Sequence, residues 1–333
     1  MKKETKKFLI GSGAVVAGIA AAGAAVVGAT KYLVRIALDR EAPTSVQKAK
    51  VKLAGSEEHK VLLDKLEEAA QKLENTETET VEITARDGEK LVGHWQTCEN
   101  PERIIVAMHG WRSSWTKDFG AVADSWHENN CNVLYAEQRG QNDSGGEYMG
   151  FGLLERYDCL DWVNWVNEQG LNKHGDKELP IYLCGVSMGA TTVLMAAGLE
   201  LPDNVCGILA DCGFTSPHEI WKHVAENNLH VSYNLCGNIA NMLCRQKLHV
   251  GAKDYSTIDA MKECKVPVLF IHGTEDSFVP VEMTYENFKA CAAPKRLFVV
   301  PGAGHGMSFF LDQEGYEAAV VQFWNDYNLN TGK

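Results

Sequence analysis

The residues with the clearest capacity for chemistry are Ser187, inside Gly185-Val186-Ser187-Met188-Gly189, together with Asp276 and His305. A serine hydroxyl is a weak nucleophile near neutral pH and needs a positioned base. An imidazole can take its proton and return it to a leaving group. A carboxylate behind the ring fixes the tautomer and stabilises the imidazolium. The three stand in the chain order Ser, Asp, His, an order compatible with a catalytic relay of this kind. Around the serine, Ile181-Tyr182-Leu183-Cys184 reads as a strand buried on both faces, and Ala190 to Ala197 as a helix. Strand, Gly-x-Ser-x-Gly, helix predicts a turn so tight that bulk is excluded two residues either side of the serine. The helix start then aims N–H groups at a developing oxyanion, with the Met188 N–H as one predicted donor.

The other candidates also follow apolar runs. His109-Gly110-Trp111 comes after Arg103–Met108 and offers the Trp111 N–H as a second oxyanion donor. Asp211 and Asp276 both end strand-like runs, and order and spacing toward His305 favour Asp276. His305 lies between glycines in Pro301-Gly-Ala-Gly-His-Gly306, a loop able to swing imidazole over the serine, whereas His109 and His272 read as structural.

These residues need elements to hold them. Apolar runs at 103–108, 132–136, 181–184, 205–210, 266–271 and 296–300 alternate with helix-like segments at 118–128, 154–168, 190–197, 281–292 and 313–327. Such alternation predicts a mostly parallel central sheet with helices on both faces, where chemistry collects at the carboxyl ends of the strands. A hairpin over 80–84 and 91–95 opens the domain.

Taken together, Gly185–Gly189, His109-Gly110, Asp276 and His305 make the chain resemble an α/β-hydrolase. More narrowly it is similar to the serine-aminopeptidase-like and prolyl-oligopeptidase-like single-domain hydrolases of bacteria. Glu137-Gln-Arg-Gly-Gln-Asn-Asp-Ser-Gly-Gly146 matches that subset's Asp-x-Arg-Gly-x-Gly-x-Ser loop, with Glu137 and Asn142 in place of the aspartate and a glycine. The resemblance covers about 80–329. It implies a helical lid after the sixth strand, about 214–262, whose Trp221, Tyr233, Leu235 and Met242 are candidates to line an acyl pocket; the alternative is that they pack the lid onto the sheet. It implies a serine hydrolase acting on a small-molecule ester or thioester through an acyl-enzyme, without cofactor or metal. An aminopeptidase or amidase of the same fold, and a catalytically silent scaffold, are the rival expectations.

Bulk properties narrow the field. The chain has 333 residues, 45% hydrophobic, and a formal charge of −12, which argues against a nucleic-acid partner. Ten cysteines without a Cys-x-x-Cys pair argue against a zinc site or a disulfide framework. The first seven residues carry four lysines and one glutamate, and Phe8 to Thr30 carries no charge. That run exceeds the roughly 20 residues a bilayer requires, so an N-terminal transmembrane helix is expected within a membrane anchor at 1–40. The N-terminal lysines then favour an extracytoplasmic catalytic domain, with a cytoplasmic-facing domain or secretion after cleavage as alternatives. An amphipathic helical linker over 41–78 and a hydrolase domain over 79–330 complete the expected organisation.

Overall fold

The computed structural model describes residues 23–41 and 57–329, the side chains of 57–63 and of Leu235 excepted. Its strands are β1 (Glu79–Thr84), β2 (Lys90–Gln96), β3 (Arg103–Met108), β4 (Cys131–Ala136), the two-residue pair β5 (Lys173–His174) and β6 (Lys177–Glu178), β7 (Ile181–Val186), β8 (Val205–Asp211), β9 (Val268–Gly273) and β10 (Lys295–Val300). Eight of them form one sheet in the order β1-β2-β4-β3-β7-β8-β9-β10. Within this sheet the β1–β2 and β2–β4 pairs are antiparallel and every other pair is parallel.

The helices are α1 (residues 23–38), α2 (Glu57–Glu74), α3 (Trp115–Glu128), α4 (Glu155–Glu168), α5 (Met188–Ala196), α6 (Pro217–His223), α7 (Gly237–Leu248), α8 (Thr257–Glu263), α9 (Val281–Ala290), α10 (Ser308–Leu311) and α11 (Gln313–Asp326). Successive side chains of a strand face opposite sides of the sheet, and β3 shows both sides covered. Ile104, Val106 and Met108 pack with Trp162 of α4 and Val193 of α5, while Ile105 and Ala107 pack with Phe119 of α3 and Phe323 of α11. Burial on both faces explains why its sequence is an unbroken apolar run.

The expected transmembrane helix is corrected by the structure. Among the described residues no helix is long and apolar enough to cross a membrane. The first part of the expected span, 8–22, lies outside the described residues. Its last residues, from Gly23 to Thr30, belong to α1, which lies on the hydrolase domain. Thr30, Val34 and Leu38 are buried at four-residue spacing, while Lys31 and Arg35 between them are exposed. Burying Val34 and Leu38 contributes on the order of 2 kcal/mol each. The chain leaving α1 bonds to the strand-end loop, with Met149 N donating to Leu38 O at 2.7 Å and Arg40 N to Glu147 O at 2.9 Å. Packing of α1 on the domain thus begins at Thr30, while Gly23 to Ala29 before it remain largely exposed.

Helix α2 lies along α3, with Ala70 and Leu73 buried. Between β8 and β9 the chain leaves the sheet through α6, a short π-helical stretch at Val224–Asn228, a 3₁₀ turn at Tyr233–Leu235, then α7 and α8. A cluster including Phe214, Ile220, Leu243 and Leu248 packs this insertion against Val34, Leu38 and Phe151. All ten cysteines are free thiols, nine of them buried.

Candidate active site

Ser187 caps the start of α5, directly after β7, with φ 56° and ψ −116°. Such a backbone is strained for a residue with a side chain and persists only where its surroundings dictate it. Here the surroundings are the two glycines. A Cβ on Gly189 would lie 1.7 Å from Met108 O, and one on Gly185 would lie 2.2 Å from Gly189 O. The Ser187 N–H donates to Asp211 O at 2.8 Å, tying the turn to β8. Gly189→Ala is therefore expected to cost more than about 4 kcal/mol, read as loss of the cooperative thermal transition by circular dichroism. A wild-type melting curve would contradict this steric account.

The loop after β10 brings His305 to the serine, and the loop after β9 brings Asp276 behind it. His305 Nε2 lies 2.9 Å from Ser187 Oγ, and His305 Nδ1 lies 2.6 Å from Asp276 Oδ2. The ring of Phe278 stands edge-on to the imidazole, centroids 5.1 Å apart. Asp276 Oδ1 accepts from the N–H groups of Phe278 at 2.9 Å and Val279 at 2.8 Å. Burial pushes the Asp276 pKa up, but hydrogen bonds from His272 and His305 outweigh it and hold the carboxyl well below its usual range.

His272 supports this carboxylate. Its Nε2 lies 3.2 Å from Asp276 Oδ2 and 2.9 Å from Val279 O, two acceptors that assign the ring proton to that nitrogen. Its Nδ1 then accepts from Thr284 Oγ1 at 2.6 Å. Sequence reasoning set His272 aside as structural and missed the link to Asp276. The four-residue spacing across a strand-end turn was the available signal.

Asp211 is also buried here, yet its Oδ1 has no hydrogen-bond partner and it makes no hydrogen bond to His305. Burial pushes its pKa up to about 6, and the nearby Asp276 adds to that, against the pull of His272 and His305. The Cys212 thiol completes the floor, within 4.8 Å of ligand atoms of Asp276 and His305. Burial raises its pKa well above the ordinary thiol value, so it is a neutral neighbour.

The oxyanion side is built by the loop after β3. Gly110 N donates to Asp118 Oδ2 and Arg112 N to Gln141 Oε1, each at 2.5 Å. No described hydrogen bond uses the Trp111 N–H between them. Met188 is the first residue of α5, where N–H groups lack intrahelical acceptors. The fully buried His109 donates from Nδ1 to Gly110 O at 2.8 Å and accepts at Nε2 from Gln138 N at 3.1 Å. Asn142, where the related pattern has glycine, sits at φ 48°, a region asparagine tolerates better than most residues. Glu137 accepts from His94 at 2.9 Å and from Asp143 N at 2.6 Å, and Arg139 forks onto Asp158 at 2.5 and 2.6 Å.

A cavity of about 320 Å³ opens at Ser187. Trp111, Trp221 and Tyr233 line it, joined by Phe151, Phe214 and Phe278. Met242 does not: it faces away on α7 and is 53% exposed, because Ala240, Leu243 and Cys244 occupy the buried side of that helix. The Leu235 side chain lies outside the described residues.

A serine in a strained strand-to-helix turn and the sheet around it define a serine hydrolase of the α/β-hydrolase fold. Residues 117–331 match the prolyl oligopeptidase family, and the chain belongs to that family. The Bacillus subtilis (strain 168) protein YqkD is 29% identical over 204 residues, 60% of this chain and 64% of that protein, so the chain spans less than two thirds of that relative. Among solved structures, the Pyrococcus furiosus esterase Pf2001 is similar with a TM-score of 0.63 and 22% identity, over 77% of this chain and 94% of that one. A Pyrococcus horikoshii acylaminoacyl peptidase is similar with a TM-score of 0.57 and 15% identity, over 79% of this chain and 43% of that one. At these identities the two structures speak to the fold alone.

Proposed function

We propose that the protein hydrolyses carboxylic esters through an acyl-enzyme on Ser187. The observation that carries this reading is the hydrogen-bonded line from Ser187 Oγ through His305 to Asp276, set at the mouth of a cavity with no charged side chain among the described residues of its wall. His305 Nε2 takes the hydroxyl proton as Ser187 Oγ bonds to the ester carbonyl carbon. The N–H groups of Trp111 and Met188 receive the oxyanion. The bond to the leaving alkoxide then breaks, and His305 returns the proton to form the alcohol. Water attacks the acyl carbon next, giving its proton to His305. Collapse frees the carboxylic acid and restores the Ser187 hydroxyl. An uncharged wall offers a peptide's ammonium group no partner, which favours esters over aminopeptidase substrates.

Full-length protein treated with a fluorophosphonate probe is expected to label at Ser187, and Ser187→Ala to take no label. It is expected to cleave p-nitrophenyl esters faster than aminoacyl p-nitroanilides. Folded wild type that refuses the probe would sink the reading, and faster anilide cleavage would replace ester by amide.

A further inference from the structure

One wall of the cavity at Ser187 comes from outside the sheet and its insertion. Thr30, Leu33, Val34, Ile36 and Ala37 of α1 line the same space as Trp221 and Tyr233. Thr30 Oγ1 donates to Val26 O at 2.8 Å and Tyr233 Oη lies 3.3 Å from His218 Nδ1, while Trp221 Nε1 is buried without a hydrogen-bond partner among the described residues. What the cavity presents, apart from Ser187, is hydrocarbon and aromatic surface. Its volume of about 320 Å³ falls near the lower end of the roughly 300–1,000 Å³ typical of ligand pockets.

The wall is fastened by the loop that carries the candidate oxyanion donor. Trp111 Nε1 donates to Ala37 O at 2.9 Å. The Arg112 guanidinium donates from Nη2 to Ile36 O at 2.9 Å and Asp39 O at 2.6 Å, and from Nη1 to Arg40 O at 3.0 Å. A cation on the last carbonyls of a helix satisfies orphan acceptors and complements the helix dipole. Lys247 of the insertion pairs with Asp39 at 2.8 Å and joins the same end of α1 to α7. The docking of α1 is thus specified by directed hydrogen bonds as well as by apolar contact.

We propose that α1 is a built-in wall of an acyl-binding site, and that the acyl part of the substrate is an extended alkyl chain whose accepted length is set by Leu33 and Ala37. This rests on the ester-hydrolase reading of Ser187. Each buried methylene favours binding by a factor of about four. On that scale kcat/KM rises on the order of 100-fold from p-nitrophenyl acetate to hexanoate, until the cavity is full.

The test uses the full chain, with folding of each variant checked by circular dichroism. Leu33→Trp, which narrows the cavity, is expected to cut the hexanoate-to-acetate ratio of kcat/KM about tenfold. Leu33→Ala is expected to move the best chain length upward, and Lys31→Ala, exposed on the same helix, to keep the wild-type ratio. Calorimetric titration of the Ser187→Ala protein with decanoate reads the site without turnover, and Leu33→Trp in that background is expected to weaken binding about tenfold. Folded Leu33 variants with a wild-type ratio would overturn the wall while leaving ester hydrolysis standing. Decanoate binding in the absence of any ester turnover by wild type would keep the acyl site and overturn the catalytic reading instead.

Discussion

Replacing Ser187 by alanine is expected to lower kcat for p-nitrophenyl esters by about 10⁶-fold, since removing the nucleophile of such a triad costs about as much as removing the whole set. That loss corresponds to about 8 kcal/mol of activation free energy. The substitution takes away the atom to which the acyl group bonds, and no second hydroxyl stands within reach of His305 Nε2 in the described hydrogen bonds. What survives is the oxyanion site and substrate binding, which alone retain a rate some 10³–10⁴ above water. The fold is expected to tolerate the change, because the strained turn depends on the flanking glycines and on the Ser187 N–H bond to Asp211 O, which alanine preserves. Melting temperature and steady-state rate should therefore separate. A Ser187→Ala protein with a rate within tenfold of wild type would exclude the serine as nucleophile.

Asp276→Asn and Asp211→Asn form a matched pair with opposite expected outcomes. An amide at 276 can no longer accept fully from His305 Nδ1–H, so the imidazole turns to the wrong tautomer and kcat falls by about 10⁴. Asp211 has no bond to His305 to lose, and its amide variant is expected to stay within tenfold of wild type. The second variant does alter stability. In the folded protein Asp211 holds its proton up to about pH 6, whereas an unfolded aspartate releases it near pH 3.9. The native state binds more protons between these values, so this group makes stability fall as pH rises from about 4 to 6 and stay lower above that. The Asp211→Asn substitution removes the slope and restores up to about 3 kcal/mol at pH 8. Asp276 acts in the opposite sense, since its depressed pKa adds stability above about pH 4 that is lost as the pH falls. Denaturant midpoints at pH 5 and pH 8 read the Asp211 slope, and that of Asp276 is read below about pH 4. If Asp211→Asn showed the larger loss of kcat, the two acids would exchange roles.

The sheet and its catalytic edge were legible because their physical requirements leave marks on consecutive residues. Arg103–Met108 was recognisable with its final bounds because a strand covered on both sides cannot alternate. The turn at Ser187 was legible because steric exclusion demands glycine at two fixed positions. The fate of the N-terminal helix was not. An uncharged run suits lipid and protein interior equally, and the discriminating signal lay past its end. There Thr30, Val34 and Leu38 continue one buried stripe between the charged Lys31 and Arg35. The insertion was half legible: Trp221 and Tyr233 line the cavity, but apolarity alone could not tell which side of α7 Met242 would take. The partnership of His272 with Asp276 turns on the local path of a strand-end turn that spacing only hinted at, and the grip of Arg112 on α1 depends on groups meeting across the fold, 76 positions apart.

The cysteines give the protein an internal set of clocks. With nine of ten buried and burial raising the thiol pKa at positions such as Cys131 and Cys244 to about 12, an alkylating reagent reaches each of those nine sulfurs only when its surroundings part. The order in which they are modified therefore ranks regions of the molecule by how often they breathe. Cys212, beneath Asp276 and His305, times the opening of the catalytic floor itself.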